Sequence, residues 1–323
     1  MNVRRALVQI IGMAGLLASL HAAGADFPTK PVRLISAGGA GSAGDVLARL
    51  LAEQLGSLWK QQVVVENRTG AGGVIAAQAL LAASPDGYTL LAAGGSSLVI
   101  TPFTRPDMPY DVDKDFAYVA LIAESPLLIA ASSTLPVKSI PELIAWSNAN
   151  PGKINYSANT PGTFPHLATE LFAQTGNAKM TFIPYKGASD ALQDLRGGRI
   201  NVMVEGISAL VSGLRSGALR PLGVTSAKRL STLPEVATVA ESLPGFSAVG
   251  FFLLLAHPKI PEALAKKVNE DMGQVLAKPE LAERLAGMGS YVRSMTPAEL
   301  VAFVQKERAT WGPVIKRMGF SPR

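Results

Sequence analysis

The sequence contains no cysteine. Disulfides, thiolate metal centres, a cysteine nucleophile and a thiol for lipid attachment are therefore excluded together. Histidine is nearly as scarce: His21, His166 and His257 are the three in the chain, with no H-x-x-x-H spacing. A transition-metal site is not expected from so few ligands, and no cofactor is expected either. Charged residues make up 17% of the chain and never gather into a basic run, so a nucleic-acid partner is not expected. G-x-S-x-G is missing, and no histidine–acid arrangement or spaced carboxylate pair stands out, which argues against an enzyme.

The N-terminus has a different character. Arg4 and Arg5 precede an apolar stretch from Ala6 to Leu20, and Ala23-Gly24-Ala25 closes it with small residues. Residues 1–25 are expected to be a secretory signal peptide cleaved near Ala25, because the segment is too short and wrongly flanked to span a bilayer. No later stretch is long and apolar enough to span one. The chain of 323 residues, 48% of them hydrophobic, is long enough for a sizeable core in two parts.

From Pro31 onward, strand signals alternate with helix signals. "VRLISA" precedes a helix that carries Val46, Leu47, Leu50, Leu51 and Leu55 on one face. "VVVEN", "GAGGVIAAQALLAA" and "DGYTLLAAG" continue a β-α-β-α-β order, which implies a parallel sheet with right-handed crossovers. "YVALIAESPLLIAAS" reads as a strand that crosses into a second α/β unit, and "AVGFFLLLAHP" as the return crossing. The expected fold is α/β, with two doubly wound lobes joined by a hinge and a ligand cleft between them. Lobe 1 comprises residues 26–123 with 249–323, and lobe 2 residues 124–248. The tail, with Leu264, Val268, Met272 and Val275 and then Leu300, Val304 and Trp311 at helical spacing, is expected to pack on lobe 1.

The loop after the first strand poses the main question. Gly39, Gly41 and Gly44 spell G-x-G-x-x-G between a strand and a helix, and Glu66 ends the next strand 22 residues after Gly44. That is the context of a dinucleotide fingerprint. Against it, Asp45 at the helix start would repel a pyrophosphate, and free dinucleotides are scarce outside the cytoplasm. A second loop, "SANTPGTFPHLATEL", also runs from a strand into a helix. No Lys or Arg occurs from Leu34 to Ala48 or from Ser157 to Ala178. Two helix N-termini facing one cleft would hold an anion through backbone amides and hydroxyls, which suits a small carboxylate. The bland readings stand beside this one. Glycine-rich turns often exist only for φ > 0, Asp45 is a common type of helix-start charge, and His166 is a common structural hydrogen bonder.

The motifs "ENRTGAGG" and "PDGYTLL", followed in order by "SIPELIAW", "NPGKINYS", "HLATELF", "IPYKGASDALQDLRGGRINVM" and "LRPLGVTSAKRLSTLPEVATVAES", are found along the whole mature chain. In order and spacing the chain closely resembles the Bug-type (TctC) extracytoplasmic receptors of tripartite tricarboxylate transporters. The resemblance implies a type II periplasmic-binding-protein-like fold. It also implies a periplasmic location, a small organic carboxylate ligand held by backbone amides and ordered water from the two loops, and delivery to membrane permease subunits. The family's first loop usually reads P-F-x-P-G-G-x-x-D. Here the matching stretch is "AGGAGSAGD", with Gly38 at the Phe position, Ala40 at the second Pro and Ser42 at one Gly. In the second loop Thr160 replaces a usual Gly and Pro161 follows it.

The expected ligand-binding set is Gly39, Ala40, Gly41, Ser42 and Asp45 from the first loop, Ser96 after the third strand, Asn159, Thr160, Gly162, Thr163 and His166 from the second loop, and Glu205. Glu205 and Asp45 would receive a donor on the far end of the ligand, which favours an amino or hydroxy acid over a polycarboxylate. Gly38 and Ala40 would leave room in the first loop. An exported nicotinamide-dependent oxidoreductase and a ligand-sensing partner of a signalling system are the alternative functions.

Overall fold

The computed structural model describes residues 27–105, 107–158, 162–185 and 188–319. The expected signal peptide, Asn159, Thr160, Pro161 and Lys186 lie outside the described residues. The first unit runs β1 (Val32–Ser36), α1 (Ala43–Trp59), β2 (Val63–Asn67), α2 (Val74–Leu81) and β3 (Thr89–Gly94), with β1 parallel to both β2 and β3. Two short helices follow, α3 (Ser96–Val99) and α4 (Thr101–Thr104). In α1 the apolar spacing does what it predicts: Leu47, Leu51 and Leu55 are buried, while Val46 is only partly so.

β4 (Ala117–Ser132) is a single strand of 16 residues that belongs to both lobes. Residues 117–126 pair antiparallel with β9 (Val249–Ala256), and Leu127–Ser132 pair with β7 (Val202–Gly206) and β8 (Leu219–Val224). The second unit also holds α5 (Ile140–Ala149), β5 (Asn155–Ser157), α6 (Phe164–Thr175), β6 (Thr181–Phe182), α7 (Ala188–Arg196) and α8 (Ile207–Arg215), with β5 parallel to β6 and β7. The strand order is β2-β1-β3-β9-β4-β7-β5-β6. The two-lobed α/β expectation holds, and the sheet is mixed because both crossing strands run antiparallel to their neighbours.

The tail, α9 (Glu262–Leu276), α10 (Pro279–Gly287) and α11 (Pro297–Arg317), departs from expectation. α9 and α10 do pack on lobe 1, in one apolar cluster with α1. α11 instead straps both lobes. It starts at a capping box between Thr296 and Glu299, and in its C-terminal half Trp311 is fully buried, its ring edge-on to Phe164 of α6 at 5.2 Å. Arg317 Nη2 then donates to Gln174 Oε1 of the same helix at 2.8 Å.

The segment before α11 adds a third link at the hinge. Glu124 N–H donates to Tyr291 O at 2.8 Å and Tyr291 N–H to Glu124 O at 2.7 Å. Arg293 Nη1 donates to Glu124 Oε1 at 2.7 Å, and the Tyr291 hydroxyl meets that of Thr232 in lobe 2. Sequence periodicity cannot reveal such a link, because residues 289–293 are neither helix nor regular strand.

Because the Trp311 ring is a buried joint between the tail and lobe 2, Trp311→Ala is expected to cost about 3–5 kcal/mol of unfolding free energy, read as a lowered urea midpoint. A loss below about 1 kcal/mol would mean that α11 does not strap the lobes.

Candidate ligand-binding site

A cavity of about 780 Å³ lies between the lobes. Its walls come from the loop after β1 (Gly38, Ser42, Ala43, Gly44), the loop Gly70–Gly73, the segment from Ser96 to Arg105, the loop before α6 (Gly162, Thr163, Phe164, Pro165) and Phe252 of β9. Two helices of full length, α1 and α6, therefore point their N-termini at one space. The N–H groups of Ala43, Gly44 and Phe164 have no acceptor among the described residues. Such amides carry the positive end of the helix macrodipole.

Both loops are built in the same way. Gly41 and Gly162 each sit at φ 78°, a left-handed conformation that suits glycine. Each then donates its N–H to the side chain four residues on: Gly41 to Asp45 Oδ2 at 2.9 Å, and Gly162 to His166 Nδ1 at 3.1 Å. A first-turn side chain thus latches the loop onto its own helix, on the side away from the cavity.

These latches decide the fate of several expected ligand residues. Ser42, Ser96, Gly162 and Thr163 line the cavity. Gly39, Ala40 and Gly41 are exposed and are not among the lining residues. Asp45 is buried and satisfied internally: Arg49 Nε at 3.0 Å, Asn67 Nδ2 at 2.7 Å and the Gly41 N–H all donate to it. Those donors, Arg49 first, hold its carboxyl down at about 2. His166 is stacked on Phe182 at 3.9 Å, and burial lowers its pKa, which keeps Nδ1 an acceptor.

Glu205 is not among the lining residues. It pairs with Leu128, and with Leu128 and Met203 it faces the apolar cluster beneath α7 and α8, not the α6 side of the sheet. Its Oε1 is buried with no partner among the described residues, and burial raises its pKa to about 7 against the opposing Gly206 N–H. The expectation that two acids would meet a cationic end of the ligand is therefore corrected: one is neutralised within its loop and the other sits in the lobe-2 core. Glu66 pairs with Arg33 at 3.4 Å and with Arg68, and it is not among the lining residues.

Lining residues that sequence reasoning missed include Gly70–Gly73, Ile100, Thr101, Thr104, Arg105 and Phe252. "ENRTGAGG" marks the family resemblance, but nothing in the motif itself points to the cavity. Arg105 comes from a part of the chain far from either strand-to-helix loop.

Comparison with known proteins bears on this geometry. The family described as "Tripartite tricarboxylate transporter family receptor" matches residues 47–320. Protein BugT of Bordetella pertussis is 34% identical over 324 residues, covering 99% of each chain. A solved R. palustris protein with adipate is 31% identical with a TM-score of 0.79, covering 92% of this chain and 100% of that one. MatC from Rhodopseudomonas palustris, solved with bound malate, is 28% identical with a TM-score of 0.72, covering 90% and 100%.

Asp45 and Glu205 should respond to pH with opposite signs. The depressed Asp45 pKa contributes stability that is complete above its unfolded value and lost as pH falls from about 4 towards 2. Asp45→Asn is expected to be roughly 2 kcal/mol less stable than the unmodified protein near neutrality, with the gap closing across that window. A gap that does not change with pH would refute the latch. The raised Glu205 pKa favours the folded state at low pH, and that stability is lost as pH rises from about 4.5 to 7. Glu205→Gln should therefore match the unmodified protein near pH 4 and exceed it by roughly 3 kcal/mol above pH 7. Urea titrations of both variants across pH measure these differences, and a Glu205→Gln protein less stable at pH 8 would contradict the burial argument.

Proposed function

Because the chain belongs to the receptor family of tripartite tricarboxylate transporters, we propose that it captures a small organic carboxylate in the cleft between its lobes and hands it to membrane permease subunits. The observation that carries this reading is the convergence of two helix N-termini on one cavity, with N–H groups on both sides that have no acceptor among the described residues. A carboxylate accepts from several such donors at once, and charge-assisted bonds of this kind contribute about 1.5–3 kcal/mol each. Adipate and malate in two solved relatives support the same ligand chemistry.

We read the protein as a binding protein. Small residues, serines and threonines, Phe164, Phe252 and a single arginine line the described cavity, and no carboxylate–imidazole pair is among the lining residues. In this reading residues 26–123 with 249–323 form one lobe and 124–248 the other. Hinge closure over β4 and β9 brings the two loops onto the ligand. The signal-like residues 1–25 support export to the periplasm. No helix among the described residues is long and apolar enough to cross a membrane.

Thermal-shift screening of the mature protein with a panel of organic acids, NAD and NADP provides the test. At least one carboxylate should raise the melting temperature, because ligand at about 100 times its Kd adds roughly 2.7 kcal/mol of stability. A shift with a nicotinamide nucleotide and with no organic acid would overturn the proposal.

A further inference from the structure

Arg105 is the one charged residue among the described residues that line the cavity. It follows α4 in extended backbone, beside the hydroxyl-bearing Thr101 and Thr104. Both threonines already use their hydroxyl protons: Thr101 Oγ1 donates to Gly72 O at 3.1 Å, and Thr104 Oγ1 to Thr101 O at 3.3 Å. Neither competes with Arg105 to donate to an incoming anion. The ion partner of Arg105 is Asp107, at 3.5 Å, whose side chain is 75% exposed. A contact of that length to a solvated carboxylate is weak and readily exchanged. The guanidinium is therefore available to a stronger acceptor, and its planar fork matches a carboxylate bidentately.

The rest of the lining adds a second constraint. In the receptor reading the helix-end amides of Ala43, Gly44 and Phe164 receive one carboxylate, and Phe164, Phe252 and Ile100 supply apolar walls. A ligand bound to both the amides and Arg105 needs two anionic groups and a hydrocarbon body. Asp45, neutralised by its own donors, does not oppose a second negative charge.

We propose that Arg105 selects a dicarboxylate over a monocarboxylate by receiving the second carboxylate while the first rests on the amides of the two loops. This rests on the carboxylate-receptor reading above. The ligand class is a dicarboxylate.

Titration calorimetry tests the assignment with straight-chain dicarboxylates and the monocarboxylates of equal chain length, on the unmodified protein and on Arg105→Gln. The side chain is partly exposed, so the variant leaves the core intact, and a thermal melt verifies this. The unmodified protein should bind a dicarboxylate at least tenfold more tightly than its monocarboxylate. Arg105→Gln should weaken the dicarboxylate by about 10–100-fold and leave the monocarboxylate within about twofold. Arg105→Lys, which keeps the charge without the fork, should restore part of the preference. Equal weakening of both ligand classes, or dicarboxylate binding unchanged in Arg105→Gln, would overturn the assignment and leave the receptor reading intact. If no carboxylate bound the unmodified protein, the receptor reading itself would fail.

Discussion

The structure depends on one strand. β4 continues through both lobes without a break, and its partners change from β9 to β7 and β8 at Pro126 and Leu127. A proline cannot donate to a ladder, so the change of partner falls where one hydrogen bond is already missing. On the lobe-1 side, Glu124 is fixed by β9, by the backbone of Tyr291 and by Arg293. Bending between the lobes is thus confined to a few residues with well-anchored neighbours, which is the geometry of a hinge. α11 limits the motion from the other direction, since the contact of Trp311 with Phe164 ties the tail to a helix whose N-terminus forms the site. The hinge, the strap and the binding loop are mechanically one system.

Within that frame the site works by hiding its negative charge and showing its amides. Asp45 lies in the first turn of α1, where its charge is favoured by the helix dipole. It also accepts the N–H of Gly41, an amide that would otherwise compete for a ligand. His166 plays the same part at α6 with a neutral nitrogen. Lobe 1 therefore carries a carboxylate ion cluster behind its loop, while the lobe-2 latch is an imidazole beside Glu170. Acid weakens both, since a proton removes the charge of Asp45 and removes the lone pair with which His166 Nδ1 accepts the Gly162 N–H.

Much of this was legible in the sequence, and the limits have physical causes. Apolar periodicity located the alternating strands and helices of both lobes, because burial on one face imposes period 2 or 3.6. Glycines before helix starts located the two loops. Periodicity says nothing about side-chain direction at a strand end, so Glu205 looked like a cleft residue when its pairing with Leu128 turns it towards α7 and α8. Asp45 and His166 were correctly placed at helix starts, but their four-residue contacts back to glycine need coordinates to be seen. Arg105 and Phe252 are brought to the cavity only by tertiary packing, with no local pattern to announce them.

The departures in the first loop gain a physical meaning from the same contacts. Gly38 stands where the family usually has Phe, and it does not open room for a ligand. A Cβ there would lie 2.3 Å from Ser42 Oγ and 3.2 Å from the Asp45 nitrogen. The missing side chain instead lets Ser42 act as N-cap of α1, its Oγ accepting the Asp45 N–H at 3.3 Å. The apolar wall comes from elsewhere. A Cβ on Gly44 would meet the Phe252 ring at 3.2 Å, so the small residue in α1 admits an aromatic from β9. In this chain the aromatic ring beside the first loop comes from β9. A ring carried by β9 rides on the strand that couples the lobes, so the hydrocarbon body of a ligand would touch the hinge directly. In the proposed receptor, closure and recognition of the apolar part of a ligand would be linked through Phe252, while the loops would recognise charge.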